Sequence, residues 1–156
     1  MAVRRLNHAV LYVHDLASAV DFYTATLGFE VRSEMAGRAA FLRAPGSAND
    51  HDLGLFALDG ASPIPRDAAA RVGLYHLAWE VGTLAELDEV RRRLAERGAL
   101  VGASDHRVSK SLYAKDPQRH RVRGDVAGAR RGLGGGAIQR PDDRPAGPGG
   151  GAGPLG

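Results

Sequence analysis

Two histidines occupy the same place in two similar stretches of the chain, 68 residues apart. His8 lies in Leu6-Asn7-His8-Ala9-Val10-Leu11-Tyr12-Val13, and His76 in Leu74-Tyr75-His76-Leu77-Ala78-Trp79-Glu80-Val81. Each stretch opens Leu-x-His and ends in Val. Imidazole is a ligand for Fe, Mn, Zn, Ni or Cu, and two imidazoles need a carboxylate to complete a facial triad. A lone strand histidine is more often a hydrogen-bonded core residue, but equivalence within a repeat favours a shared metal. His106 and Tyr113 form a second pair, an acid–base group and a phenol ahead of Asp116-Pro117. By spacing alone, a surface-loop histidine and a strand tyrosine account for that pair better. His14 adjoins Asp15 and reads as a surface residue. His51 sits in the polar stretch Ser47–Asp52, and nothing in the pattern requires it in a pocket.

The elements that must position these groups repeat as well. Both His segments alternate and are rich in β-formers, so they read as strands. On a strand His8 shares a face with Leu6, Val10 and Tyr12, and His76 with Leu74, Ala78 and Glu80. Each is followed by a helix start: Asp15 caps a helix over 16–27 that stops at Gly28, and Thr83 with Glu86 forms a capping box for a helix over 84–97 that stops at Gly98. Strands are expected at Phe29–Ser33, Ala39–Arg43 and Leu53–Leu58, then at Leu100–Ala103 and Ser111–Lys115. The chain therefore divides into a first βαβββ module over 1–58, a linker over 59–72, a second module over 73–117 that lacks its last strand, and a tail over 118–156.

The 156 residues suit one domain or two half-domains sharing a core. There is no cysteine, so any metal must be held by His, Asp or Glu. No apolar run approaches the ~20 residues that span a bilayer, and Met1–Arg5 has no signal-peptide character, so no membrane contact and a cytoplasmic location are expected. The tail carries a net charge of +4 and the remaining 117 residues −1. A basic balance confined to the tail argues against nucleic-acid binding by the folded part. The tail holds 12 of the 21 glycines and no aromatic residue, a composition expected to be disordered. No phosphate-cradling glycine loop and no G-x-S-x-G elbow is present.

Asn7-His8-Ala9-Val10, then Asp15-Leu16 through Phe22-Tyr23 and Leu27-Gly28-Phe29, resembles the opening of the vicinal oxygen chelate superfamily, which includes glyoxalase I, bleomycin- and fosfomycin-resistance proteins and extradiol ring-cleaving dioxygenases. The resemblance covers about 1–117. It implies an α+β fold of two paired βαβββ modules forming an open barrel around a metal. In the dioxygenase branch the ligands are a His on the first strand, a His on the fifth and a Glu on the last, and His8 and His76 match the first two. His106, Leu112-Tyr113 and Asp116-Pro117 match the front of that branch's C-terminal motif. The resemblance thus implies Fe(II), with Mn(II) or another divalent metal as alternatives. It implies a catechol-like or other vicinal-oxygen substrate and O2, with His106 relaying a proton and Tyr113 hydrogen-bonding the substrate. The glyoxalase branch expects a carboxylate on the fourth strand, and Leu53–Leu58 supplies none. A glyoxalase-like lyase or isomerase, and a metal-free drug- or metabolite-binding module, are the alternatives.

The motif then breaks. Its Gly falls on Arg119 and its Glu on Arg123, a cation that would repel a metal. Gln118–Leu133 can be encoded so that dropping one base reads SGIEFEVMWRVPAED, which continues Asp116-Pro117 as an apolar strand with a glutamate at position 123. Only the middle base of each shifted codon is free in this exercise. A shifted frame would also explain the Arg/Gly/Pro-rich tail in a chain with 19 Arg and 2 Lys. Function is therefore expected to be impaired in the chain as written. An unpaired sheet edge left by the missing strand would favour a homodimer.

Overall fold

The computed structural model describes residues 2–65, 72–105 and 109–127. Its element order is β1 (Ala9–Val13), α1 (Leu16–Leu27), β2 (Glu30–Met35), β3 (Ala39–Arg43), β4 (Leu53–Ala57), β5 (Leu77–Glu80), α2 (Leu84–Glu96), β6 (Leu100–Asp105), β7 (Ser109–Lys115) and β8 (Arg121–Ala127). Two βαβββ modules follow one another. Their strands form two four-stranded sheets, ordered β1-β4-β3-β2 and β5-β8-β7-β6. In each the first strand pairs parallel with the last, and the other neighbours are antiparallel. The two sheets are not closed into a barrel. No helix among the described residues is long and apolar enough to cross a membrane.

The first strand of each module begins later than the sequence pattern predicts. β1 starts at Ala9, opposite Leu53, where its partner β4 also starts. Residues before that have no ladder to join. His8 and His76 consequently sit at matching places, each one residue ahead of its strand.

The larger correction concerns the last strand, which is present. Arg121–Ala127 pairs with Ser109–Lys115 on one side and with Leu77–Glu80 on the other. Its Val122 and Val126 are buried, while Arg123 and Asp125 alternate to the other face. Apolar-in, polar-out alternation over seven residues is enough for a half-buried strand despite the tail's composition. The outer strands of the second sheet are therefore β5 and β6, and no edge is vacated beside β7. The tail beyond Ala127 lies outside the described residues, as does linker segment 66–71.

One core joins the modules. Phe22, Tyr23, Leu42, Leu53, Leu55, Leu77, Leu87, Leu94, Leu112 and Val122 belong to a single buried cluster. α1 is held by its Asp15 cap on the Ser18 amide at 3.0 Å and by Gly28 at φ 77°. Across the modules, Phe29 meets Trp79 edge-on at 5.0 Å, and Arg97 donates to Asp21 at 2.6 Å.

The turn before β8 is tied to α1, to the cap of that helix and to the linker. The Asp116 carboxylate is fully buried. It accepts from the Tyr23 hydroxyl at 3.1 Å and the His120 amide at 2.8 Å, and His120 Nδ1 lies 3.0 Å away. Gln118, also buried, accepts from the His14 amide at 3.0 Å, contacts the His14 ring, and donates to the Asp15 carbonyl at 3.3 Å. Ile64 donates its amide to the Gln118 carbonyl. Arg119 holds a left-handed φ of 69°, the only positive φ at a non-glycine residue among those described. That conformation costs a side-chain-bearing residue on the order of 1–3 kcal/mol. Arg119→Gly should therefore raise stability by roughly 0.5–1 kcal/mol in chemical denaturation, after allowing for glycine's freedom in the unfolded chain. It should do so despite losing the 2.8 Å bond from the Arg119 guanidinium to the Ile64 carbonyl.

Candidate functional site

Each sheet turns one face to the helices and leaves the other open. On the second sheet the helix-side row is Leu77, Val122, Leu112 and Ala114, all buried. The opposite row is set by register: Ala78 opposes Arg123, which opposes Tyr113, and Glu80 opposes Asp125, which opposes Ser111. Arg123 is anchored on this face. Its Nε donates to Asp125 at 2.7 Å, a second guanidinium nitrogen donates to Ser111 Oγ at 2.8 Å, and its carbon lies 5.5 Å from the centre of the Tyr113 ring. Tyr113 is thus covered by a cation rather than facing a carboxylate.

His76 leads into this same sheet. Its ring lies 5.1 Å from that of Tyr75, and its Nδ1 is buried with no hydrogen-bond partner among the described residues. A buried ring nitrogen left unbonded costs about 1–3 kcal/mol, so this atom is the one feature of the site that a ligand or metal would relieve.

His8 lies on the other sheet and is exposed. Its nearest ring is His51, at 4.7 Å, and His51 in turn meets Phe41 at 5.1 Å. Both histidines are oriented by the residue before them: His8 Nδ1 is 2.8 Å from Asn7 Oδ1, and His51 Nδ1 is 3.1 Å from Asp50 Oδ2. An oxygen beside Nδ1 is the arrangement that orients metal-ligating imidazoles toward a metal at Nε2. The sequence held a signal for this pairing, since each of Asn7-His8 and Asp50-His51 places an oxygen-bearing side chain just before the ring. His106 lies outside the described residues.

Among the described residues, no three His, Asp or Glu side chains converge closely enough to hold a metal ion. The groups at the expected places are two imidazoles that lead into different sheets and a guanidinium. A guanidinium has no lone pair to give and is always charged. The residues present therefore do not fit a two-histidine, one-carboxylate metal centre.

A chain of two consecutive βαβββ modules with paired four-stranded sheets and an open inner face defines a glyoxalase-like scaffold. Residues 5–123 match the Glyoxalase/Bleomycin resistance protein/Dioxygenase superfamily, and the chain belongs to it. It is 31% identical over 112 residues to the "Catechol-2,3-dioxygenase" of Bacillus subtilis (strain 168), a match covering 72% of this chain and 38% of that protein. It is 31% identical over 119 residues to the "Biphenyl-2,3-diol 1,2-dioxygenase 3" of Rhodococcus globerulus, covering 76% and 60%. The chain thus spans less than two thirds of the length of each of these relatives. Among solved structures, a glyoxalase/dioxygenase from Nostoc punctiforme superposes with TM-score 0.66 at 21% identity, covering 80% of this chain and 91% of that one. The lactoylglutathione lyase from Agrobacterium tumefaciens gives 0.59 at 25%, covering 81% and 96%.

Proposed function

We propose that this chain derives from a metal-dependent extradiol-type dioxygenase that cleaves a catechol-like aromatic, with its third metal ligand replaced by Arg123 and its activity impaired as written. The observation that carries this reading is the position of Arg123. It shares the open face with Tyr113 and the strand that His76 enters, where a ring-cleaving relative would need its carboxylate. The curated relatives are dioxygenases of catechol-like diols, which supports an aromatic diol and O2 as substrates and Fe(II) or Mn(II) as the metal. In the frame-restored chain His8 and His76 are assigned as the ligands that would hold the metal, which would supply activation of the diol and O2, with Tyr113 as a hydrogen-bond donor to the substrate and His106 as a proton relay.

Two structural details support a one-base frame change as the origin of the replacement. Position 119, where φ is 69°, becomes glycine in the shifted frame. The helix-facing positions 122, 124 and 126, now Val, Gly and Val, become Phe, Val and Trp, which suits the face that packs on α2. A Cβ at Gly124 would meet Leu87 Cδ1 at 3.7 Å, an ordinary contact.

Oxygen uptake with catechol, measured on the chain as written and on a frame-restored chain, tests the function. Turnover should appear only in the restored protein loaded with Fe(II). Silence in both, with metal bound by the restored chain, would overturn the dioxygenase reading in favour of a lyase or isomerase. The lack of a carboxylate at position 123 favours a second reading for the chain as written: a metal-free module that sequesters a small ligand, distinguished by stoichiometric ligand binding in the presence of a chelator.

A further inference from the structure

Away from the open sheet faces, a cleft of ≈ 720 Å³ lies between the modules, near α1, the end of α2, the end of β7 and the turn at 116–119. Three cations line it from three different elements: Arg97 just past α2, Lys115 at the end of β7, and Arg119 in the turn. Its apolar wall includes Phe22, Val101 and Pro117. Asp116 also borders it, but its carboxylate is taken up by the Tyr23 hydroxyl and the His120 amide. Among the described residues, only Arg97 of the three cations has an acidic partner, Asp21 on α1. The Arg119 guanidinium donates to a neutral carbonyl. Lys115 is partly buried, and among the described residues no hydrogen bond or ion pair engages its ammonium group.

Three cationic residues line this one cavity, and gathering like charges carries an electrostatic cost that a bound anion would offset. A volume in the range of small-molecule sites, lined by both cationic and apolar residues, suits an anion that carries an apolar body. We propose that this cleft binds a small organic carboxylate, its oxygens on Lys115 and Arg119 and its hydrocarbon part against Phe22, Val101 and Pro117. The site shares no residue with the proposed metal and diol site, and it belongs to the chain as written, since the shifted frame puts glycine in place of Arg119.

The test is isothermal titration of the full chain as written with benzoate at constant ionic strength, with orthophosphate as a second probe. Saturable benzoate binding is expected, with phosphate weaker because it leaves the apolar wall unfilled. Lys115→Gln should weaken benzoate roughly tenfold or more, the loss of one charge-assisted hydrogen bond, while Lys115→Arg should retain most of the affinity. Arg119→Gly removes a cation from the same cleft in a protein expected to be more stable than its parent. It should weaken benzoate too, which keeps the result readable should Lys115→Gln fail to fold. No saturable binding, or benzoate affinity unchanged in both Lys115→Gln and Arg119→Gly, would overturn the proposal. Phosphate binding as tight as benzoate would overturn the assignment of an apolar body.

Discussion

Titrating Fe(II) or Mn(II) into the chain as written should show no tight binding, whereas the frame-restored chain should bind with an affinity higher by more than about 100-fold. Losing a group that merely supports a ligand commonly costs about 10–100-fold in metal affinity. Here a ligand itself is replaced, and by a group of opposite charge. The carboxylate would donate a lone pair and neutralise one charge of a divalent ion; the guanidinium donates none and adds a repulsive charge. Arg123 is also fixed in place by Asp125 and Ser111, so it has no easy way to swing aside. The restored chain carrying His76→Ala should lose most of the gain, because the buried Nδ1 edge marks that ring as the one awaiting a partner. Tight binding by the unaltered chain would mean that a different set completes the site, with His8 and His51 its natural core. The assignment of position 123 would then fall.

The second large effect belongs to Asp116. Asp116→Ala should cost about 3 kcal/mol in urea or thermal unfolding, because it strands the buried Tyr23 hydroxyl and the His120 amide at once. The same contact carries a pH signature. Burial, and then the neighbouring Asp116 charge, push the Tyr23 phenol well above its ordinary value near 10.0. With the folded-state pKa raised, the stability due to protonated Tyr23 is complete below that ordinary value and declines as pH rises past it, since the unfolded chain releases the proton first. Alkaline unfolding curves should therefore steepen above about pH 10 and lose that component in Tyr23→Phe. An unchanged alkaline slope in Tyr23→Phe would rule out this coupling.

Much of this architecture was legible along the chain because it is local. Asp15, Gly28 and the Thr83–Glu86 pair announce the helix ends with short-range hydrogen bonds. The Leu-x-His repeat marks two strands whose His residues do take matching positions. What escaped was non-local or masked by composition. β8 hides in a glycine- and arginine-rich stretch, and only the alternation of Val122 and Val126 with Arg123 and Asp125 betrays it. His51 lies in a loop whose approach to His8 depends on the parallel pairing of β1 with β4. The buried turn at Asp116–His120 depends on partners from the other module, and no window of sequence contains both halves of such a contact.

That turn also bears on the order in which the molecule can assemble. Tyr23 and Asp116 are separated by 93 residues, and His14 and Gln118 by 104. Closing a loop of that length costs on the order of 4 kcal/mol of chain entropy before any contact repays it. During synthesis on a ribosome, the first module would have its helix and strands complete long before residue 116 emerges, and would wait without its clasp. The fold therefore puts these shared hydrogen bonds at the slow, high-contact-order end of folding, and makes a turn synthesised after both helices the one that locks the first module.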